Sequence, residues 1–298
     1  MLKMKKSWIF CAILLAAVLA LLAGCSGKAA PSPSDLPASA QKKTPTAAEI
    51  AADAIKAAGN ITSFNFDMEM FMELNMSGSG MDLNMKMQQD ADGAVNLPEK
   101  EMALVMEMAM EMPGAGNQDM AVEIYTTGGW MYMKADVPGY GDQWTRMELT
   151  DEIWDQQSRM AGLDEFLQSA VSVELAGSET IGGVECYILD VNPDMNSLSN
   201  WMADQNFAGQ SEADLSELDI AEMLEGFNIR QWIASDSYLP VRQQIEIQLN
   251  ISEETGDAPA EALNRMVLDL DAVVNYSDYG KPVTIRLPSE ALNALEVR

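Results

Sequence analysis

The sequence predicts an α+β protein built on one large antiparallel sheet. Three observations predict it. Long stretches alternate apolar and polar residues with period two. These stretches follow one another across short turns, as in a meander. Segments with a helical period stand before, between and within the strand blocks, without the strict strand–helix alternation of a parallel sheet.

"TPTAAEIAADAIKAAGN" opens the folded part as a helix. Thr46 and Glu49 have capping-box spacing, and Gly59 supplies the stop. Ile50, Ala51, Ala54, Ile55 and Ala58 form one narrow apolar stripe, small enough for close packing on a sheet.

Four alternating strands follow. "FNFDMEMFMELNM" places Phe64, Phe66, Met68, Met70, Met72, Leu74 and Met76 on one face. "MDLNMKMQQ" does the same with Met81, Leu83, Met85 and Met87, after a turn at Gly78 and Gly80. "DADG" then reads as a turn with Asp92-Gly93 at its tip. It echoes half of a calcium loop whose other half is missing, so calcium is not expected. "EMALVMEMAMEM" aligns Met102, Leu104, Met106, Met108, Met110 and Met112, and "DMAVEIYTT" aligns Met120, Val122 and Ile124. "GGWMYMKADVPGYGDQWTRMEL" supplies two more strands around Pro138-Gly139.

The period then changes. "TDEIWDQQSRMAGLDEFLQSA" reads as helix, with Thr150 as cap and Asp151 and Glu152 at its positive end. "VSVELAGSETIGGVECYILDV" is a hairpin about Gly182-Gly183. "PDMNSLSNWMADQN" and "SELDIAEMLEG" read as short helices. The end returns to strands in "FNIRQWIASDSYLPVRQQIEIQLNIS", "RMVLDLDAVVNYSDYG" and "KPVTIRLP", with a helical turn at "SEALNAL".

The first 25 residues have the layout of a secretory signal peptide: three lysines, an apolar run from Trp8 to Leu22, and small residues at the end. The run is short for a membrane span and lacks a charged stop. "SGKAAPSPSDLPASAQKKTP" is rich in Pro, Ser and Ala, and residues 26–45 read as a disordered tether. Residues 46–298 form the domain.

Composition excludes several functions. The 298 residues carry 46 acidic against 18 basic side chains, a net charge of −28 that repels nucleic acid and anionic membrane surfaces. There is no histidine, so Ser-His-Asp and Cys-His catalysis are impossible. Of three cysteines, Cys11 and Cys25 belong to the leader, which leaves Cys186 as a small buried strand residue without a disulfide partner. The paired acids Asp151/Glu152 and Glu253/Glu254 read as solvated charge. No nucleophile, base or metal constellation appears, so neither enzyme activity nor a cofactor is expected.

Two resemblances sharpen this reading. Leu22-Ala23-Gly24-Cys25 resembles the lipobox of bacterial lipoproteins. That implies a diacylglycerol on Cys25, an anchor in the membrane and a place on the outer face of the cell membrane. "IRQWIASDSYLPVRQQIEI", "TIGGVECYILDV", "SDYGKPVTIRLP" and the strand "ITSFNFDMEMFMEL" after its helix resemble the LolA/LppX-like lipoprotein-carrier superfamily. The nearest resemblance is to uncharacterised lipoproteins of Gram-positive bacteria. It implies a strongly curved half-barrel with helices on its concave side and an apolar cavity between. Relatives carry lipids or acylated molecules, or act as envelope sensors. No catalytic residue is implied.

The methionines bear on both lines. Strands favour Val, Ile and aromatics on a dry face, whereas methionine is flexible and polarizable and fits changing partners. Phe66, Met68, Met70, Met72, Met85, Met87, Met106, Met108 and Met110 are the candidate lining of a groove for a lipid or acyl chain. The competing readings are plain core, with Phe166, Leu167, Trp201 and Met223 filling the hollow, and thioether binding of Cu(I). Trp130, Trp144, Trp154, Trp201 and Trp232 read as core or as a cavity mouth. The first function expected is non-enzymatic ligand binding or transfer. The second is a surface interaction or envelope-sensing lipoprotein with a filled core. No protein partner is legible.

Overall fold

The computed structural model describes residues 44–78, 81–114, 116–136, 143–158, 170–193, 224–252 and 265–297. Most of these are strand. Among the described residues two helices, α1 (Ala47–Ala58) and α2 (Asp151–Ser158), and a 3-10 turn at Ser289–Asn293 accompany twelve strands. The strands are β1 (Ser63–Gly78), β2 (Met81–Asn96), β3 (Glu101–Met112), β4 (Gly116–Thr127), β5 (Trp130–Asp136) and β6 (Thr145–Glu148), then β7 (Ala170–Ile181), β8 (Val184–Pro193), β9 (Leu224–Ala234), β10 (Pro240–Ser252), β11 (Arg265–Ser277) and β12 (Leu295–Glu296).

All twelve lie in one open sheet, ordered β12-β6-β5-β4-β3-β2-β1-β11-β10-β9-β8-β7. Every pairing is antiparallel except the short parallel one between β12 and β6. The sheet is therefore two sequential meanders, β1 to β6 and β7 to β11, joined where β1 meets β11.

Residues opposite one another in an antiparallel ladder share a face, so register defines each row across the sheet. One row runs Val191, Ile229, Ile245, Ala272, Met70, Gln89, Met108 and Met120. Its neighbour runs Leu189, Gln231, Gln243, Val274, Met68, Ala91, Met106 and Val122. All sixteen are buried. The opposite face is acidic: Glu69, Asp90 and Glu107 stand side by side on β1, β2 and β3, all exposed.

The apolar face carries two main clusters. One joins the methionines of β1 to β4 with Val274, Tyr276 and Trp154 of α2. The other packs Ile50, Ala51 and Ala54 of α1 on Leu189, Val191, Ile229, Ile233 and Ile245. The capping box of α1 forms as expected. The Thr46 hydroxyl accepts from the Glu49 N–H at 3.3 Å, and the Glu49 carboxylate accepts from the Thr46 N–H at 2.7 Å. The Gly182-Gly183 hairpin also forms, with both residues at positive φ as a tight turn requires.

Three expectations are corrected. Asp90 to Gly93 is no turn. β2 continues through it to Asn96, paired on both sides, and the chain reverses at 97–100. Leu224 to Gly226, the end of the expected helix "SELDIAEMLEG", is strand, because pairing with β10 continues through it and overrides local helical preference. "KPVTIRLP" joins no ladder. It follows Gly280 at φ 66°, and Pro282 and Pro288 lack the N–H a ladder needs. The expected helical residues 159–169 and 194–223, with Phe166, Leu167, Trp201 and Met223, lie outside the described residues, as do the Gly78–Gly80 turn beyond its first residue, the Pro138-Gly139 turn and Glu253/Glu254.

Candidate functional site

The methionine face is the first candidate site. β1 brings Phe66, Met68, Met70 and Met72 to it, β2 brings Met85 and Met87, and β3 brings Met106, Met108 and Met110. Register sets Met72 opposite Met87, and Met87 opposite Met110. All nine belong to one apolar cluster or pack against it; eight are buried and Met72 is partly buried. Cys25 lies outside the described residues.

Polar groups interrupt this face on several strands, among them Thr126 opposite Met102, which is 0% exposed with no partner at Oγ1. Gln89, Gln231 and Gln243 occupy inward positions and are 0%, 0% and 3% exposed. Gln89 donates from Nε2 to the Met106 sulfur at 3.7 Å, and its Oε1 has no partner. Gln231 has no partner at Nε2 or Oε1, and Gln243 has none at Oε1. The sequence reading missed them. The signal was present: each is a polar residue in the dry phase of an alternating strand.

A second hollow opens on the acidic face. It holds about 800 Å³ and is lined by two outward rows that include Phe71, Glu73, Lys86, Glu111, Glu246 and Asp271. Met72 and Met87 border it from the intervening inward row. Phe71 is 51% exposed there. Side-chain hydrogen bonds from Asn75 and Asn84, and the ion pair with Lys86 at 3.3 Å, hold the Glu73 carboxyl below its usual range. This hollow and the methionine cluster lie on opposite sides of the sheet.

The remaining sequence candidates resolve simply. Trp144, Trp154 and Trp232 are buried, and Arg146 lies over the Trp130 ring at 4.5 Å. Trp232 belongs to the outward rows and donates to Glu179 at 2.8 Å. Cys186 is a buried free thiol whose pKa burial pushes up, so it is no reactive nucleophile. Asp151 is exposed and paired with Lys100 at 2.5 Å. Among the described residues no group of three or more His, Cys, Asp or Glu side chains is placed to hold a metal ion. Among the same residues no helix is long and apolar enough to cross a membrane.

The model of a family of unknown function, DUF6612, matches residues 46–296. The chain belongs to this family. DUF6612 membership covers both faces just described and every strand of the sheet. No curated protein matches the sequence. Similar solved structures include the lipoprotein LppX of Mycobacterium tuberculosis, at 14% identity and a TM-score of 0.40, covering 80% of this chain and 98% of that one. LprF from Mycobacterium bovis is similar at 18% identity and a TM-score of 0.38, over 81% and 96%. A LolA superfamily protein from Nitrosomonas europaea follows at 12% and 0.22, over 81% and 96%.

Proposed function

We propose that this protein is a membrane-anchored extracytoplasmic lipoprotein that binds or transfers a hydrophobic ligand, a lipid or a lipoprotein acyl chain, without catalysing a reaction. The observation that carries this reading is the composition of the apolar face. Met68, Met70, Met85, Met87, Met106, Met108 and Met110 form one patch over three neighbouring strands. A core selected only for tight packing favours branched side chains with few rotamers. A face of unbranched thioethers re-forms around guests of different shape. In this reading the sheet is curved, the methionine face is its hollow side, and helices close over it. Residues 1–25 act as the lipoprotein signal, Cys25 carries the anchor, and residues 26–45 hold the domain off the bilayer.

The test is native mass spectrometry of the chain carrying Cys25→Ser, purified from a membrane-containing lysate. A stoichiometric lipid, released by solvent extraction and taken up again when phospholipid or lipopeptide is offered, is the expected result. A bare protein mass with no uptake overturns the reading. Labelling with radioactive palmitate tests the anchor. The wild-type chain incorporates label and Cys25→Ser does not.

A second reading has its own observation. The methionines are buried, and the 800 Å³ hollow with exposed Phe71 lies on the acidic face. In this reading the apolar face is filled core and the protein is an interaction or envelope-sensing lipoprotein. Phe71→Ser then abolishes capture of a protein partner and leaves lipid content unchanged.

A further inference from the structure

We propose that Gln231 and Gln243 form the recognition point for the neutral polar linkage of an acylated guest: a carbonyl with a neighbouring N–H or O–H at the root of an acyl chain. The inference rests on the ligand-binding reading above and adds where the guest's polar end lies and what chemistry it has.

The two glutamines are direct cross-strand partners on β9 and β10. Leu189 of the α1 cluster flanks them on one side and Val274 of the methionine cluster on the other, so they sit at the seam between the two apolar clusters. Three of their side-chain polar atoms are buried without a partner. A buried amide left unpaired costs stability, and a leucine in the same place does not. The neighbouring positions are Ile229, Ile233 and Ile245, so the sheet accepts branched apolar residues here.

The unpaired atoms define the guest. A primary amide offers N–H donors and a carbonyl acceptor. Its complement is a group with both an acceptor and a donor, which an ester beside a free hydroxyl has, and an N-acyl amide has too. A carboxylate or phosphate is disfavoured. Arg230 and Arg242, the basic residues of β9 and β10, belong to the outward rows and pair with Asp190 and Asn275. The nearer methionine of the same row, Met68, stands two strands from Gln243, about 10 Å at ordinary strand spacing. A linkage held by the glutamines thus starts its chain toward the methionine patch.

The test uses the full chain carrying Cys25→Ser, with a pyrene-labelled alkane as fluorescent probe of the apolar face. Competitors are 1-monooleoylglycerol, N-oleoylethanolamine and the hydrocarbon 1-octadecene. The expected result is at least tenfold stronger displacement by one or both polar-linked lipids than by octadecene. Which of the two leads identifies ester-plus-hydroxyl or amide as the linkage. Gln231→Leu and Gln243→Leu each bring that preference to within about twofold, with octadecene displacement unchanged. Gln243→Met, of nearly the same shape, repeats the measurement should a leucine variant fold poorly. A preference retained in these variants, together with a raised melting temperature, overturns this inference and leaves the ligand-binding reading standing. A wild-type chain that binds neither probe nor competitor overturns both.

Discussion

The ring of Phe66 lies directly over the backbone of Gly93, its cross-strand partner. A Cβ placed on Gly93 would meet Phe66 Cζ at 2.0 Å. The glycine is the floor under an aromatic side chain, a pairing that shields a strand glycine and fills the gap it leaves. Phe64, the next inward residue along β1, stands beside it with ring centroids 6.2 Å apart. Gly93→Ala is expected to cost about 1–3 kcal/mol by overpacking. In a Phe66→Leu background the same substitution costs less. A double-mutant cycle in urea measures the difference, and simple additivity of the two changes would refute the contact.

Asp90 stands between Glu69 and Glu107 on the acidic face. Like charges directly opposite across a ladder destabilise it, and here one residue has two such neighbours. Asp90→Lys is expected to stabilise the domain by roughly 0.5–2 kcal/mol in low salt, counting both flanks. The gain shrinks in 0.5 M NaCl, where the Debye length falls to a few ångströms. Thermal melts of both proteins at two salt concentrations check it.

The Tyr276 phenol is buried, and burial holds its pKa far above the ordinary value. An unfolded chain ionises tyrosine near pH 10. The stability that Tyr276 contributes is therefore complete below about pH 10 and is lost as pH rises from there toward the folded value. Above pH 10, Tyr276→Phe is expected to retain about 1.4 kcal/mol more per pH unit than the wild type, and to match its pH dependence below pH 9. Urea unfolding between pH 8.5 and 11 decides it.

Met70→Leu and Met108→Leu conserve volume and are expected to cost less than about 1.5 kcal/mol each. If the methionine face adapts to guests, the pair together narrows the range of acyl-chain lengths that bind. An unchanged range in the double variant assigns these methionines to packing alone.

Much of the sheet was legible because its alternation is strict. β3 is read correctly from Glu101 to Met112, and its inward residues, Met102 to Met110, are the buried ones. The Thr46–Glu49 capping box is a local signal and fixed the start of α1. The Asp92-Gly93 misreading has a long-range cause. The dipeptide favours turns by itself, and only Phe66, a residue of another strand, explains the glycine in β2. The methionine patch was visible as a stripe on each strand. Each glutamine shows in its own strand as a polar residue in the dry phase, but the pair was not visible, because Gln231 and Gln243 meet only through the pairing of β9 with β10.

The junction of β1 with β11 sets the tempo of assembly. Asn275 donates to Asp67 at 2.8 Å across 208 positions of sequence, whereas β1 to β6 and β7 to β11 each pair as neighbours along the chain. Hairpins of such local contacts close early, and pairings between distant segments form slowly. The central strand of the finished sheet must therefore wait, one edge bare, until nearly the whole polypeptide has been made.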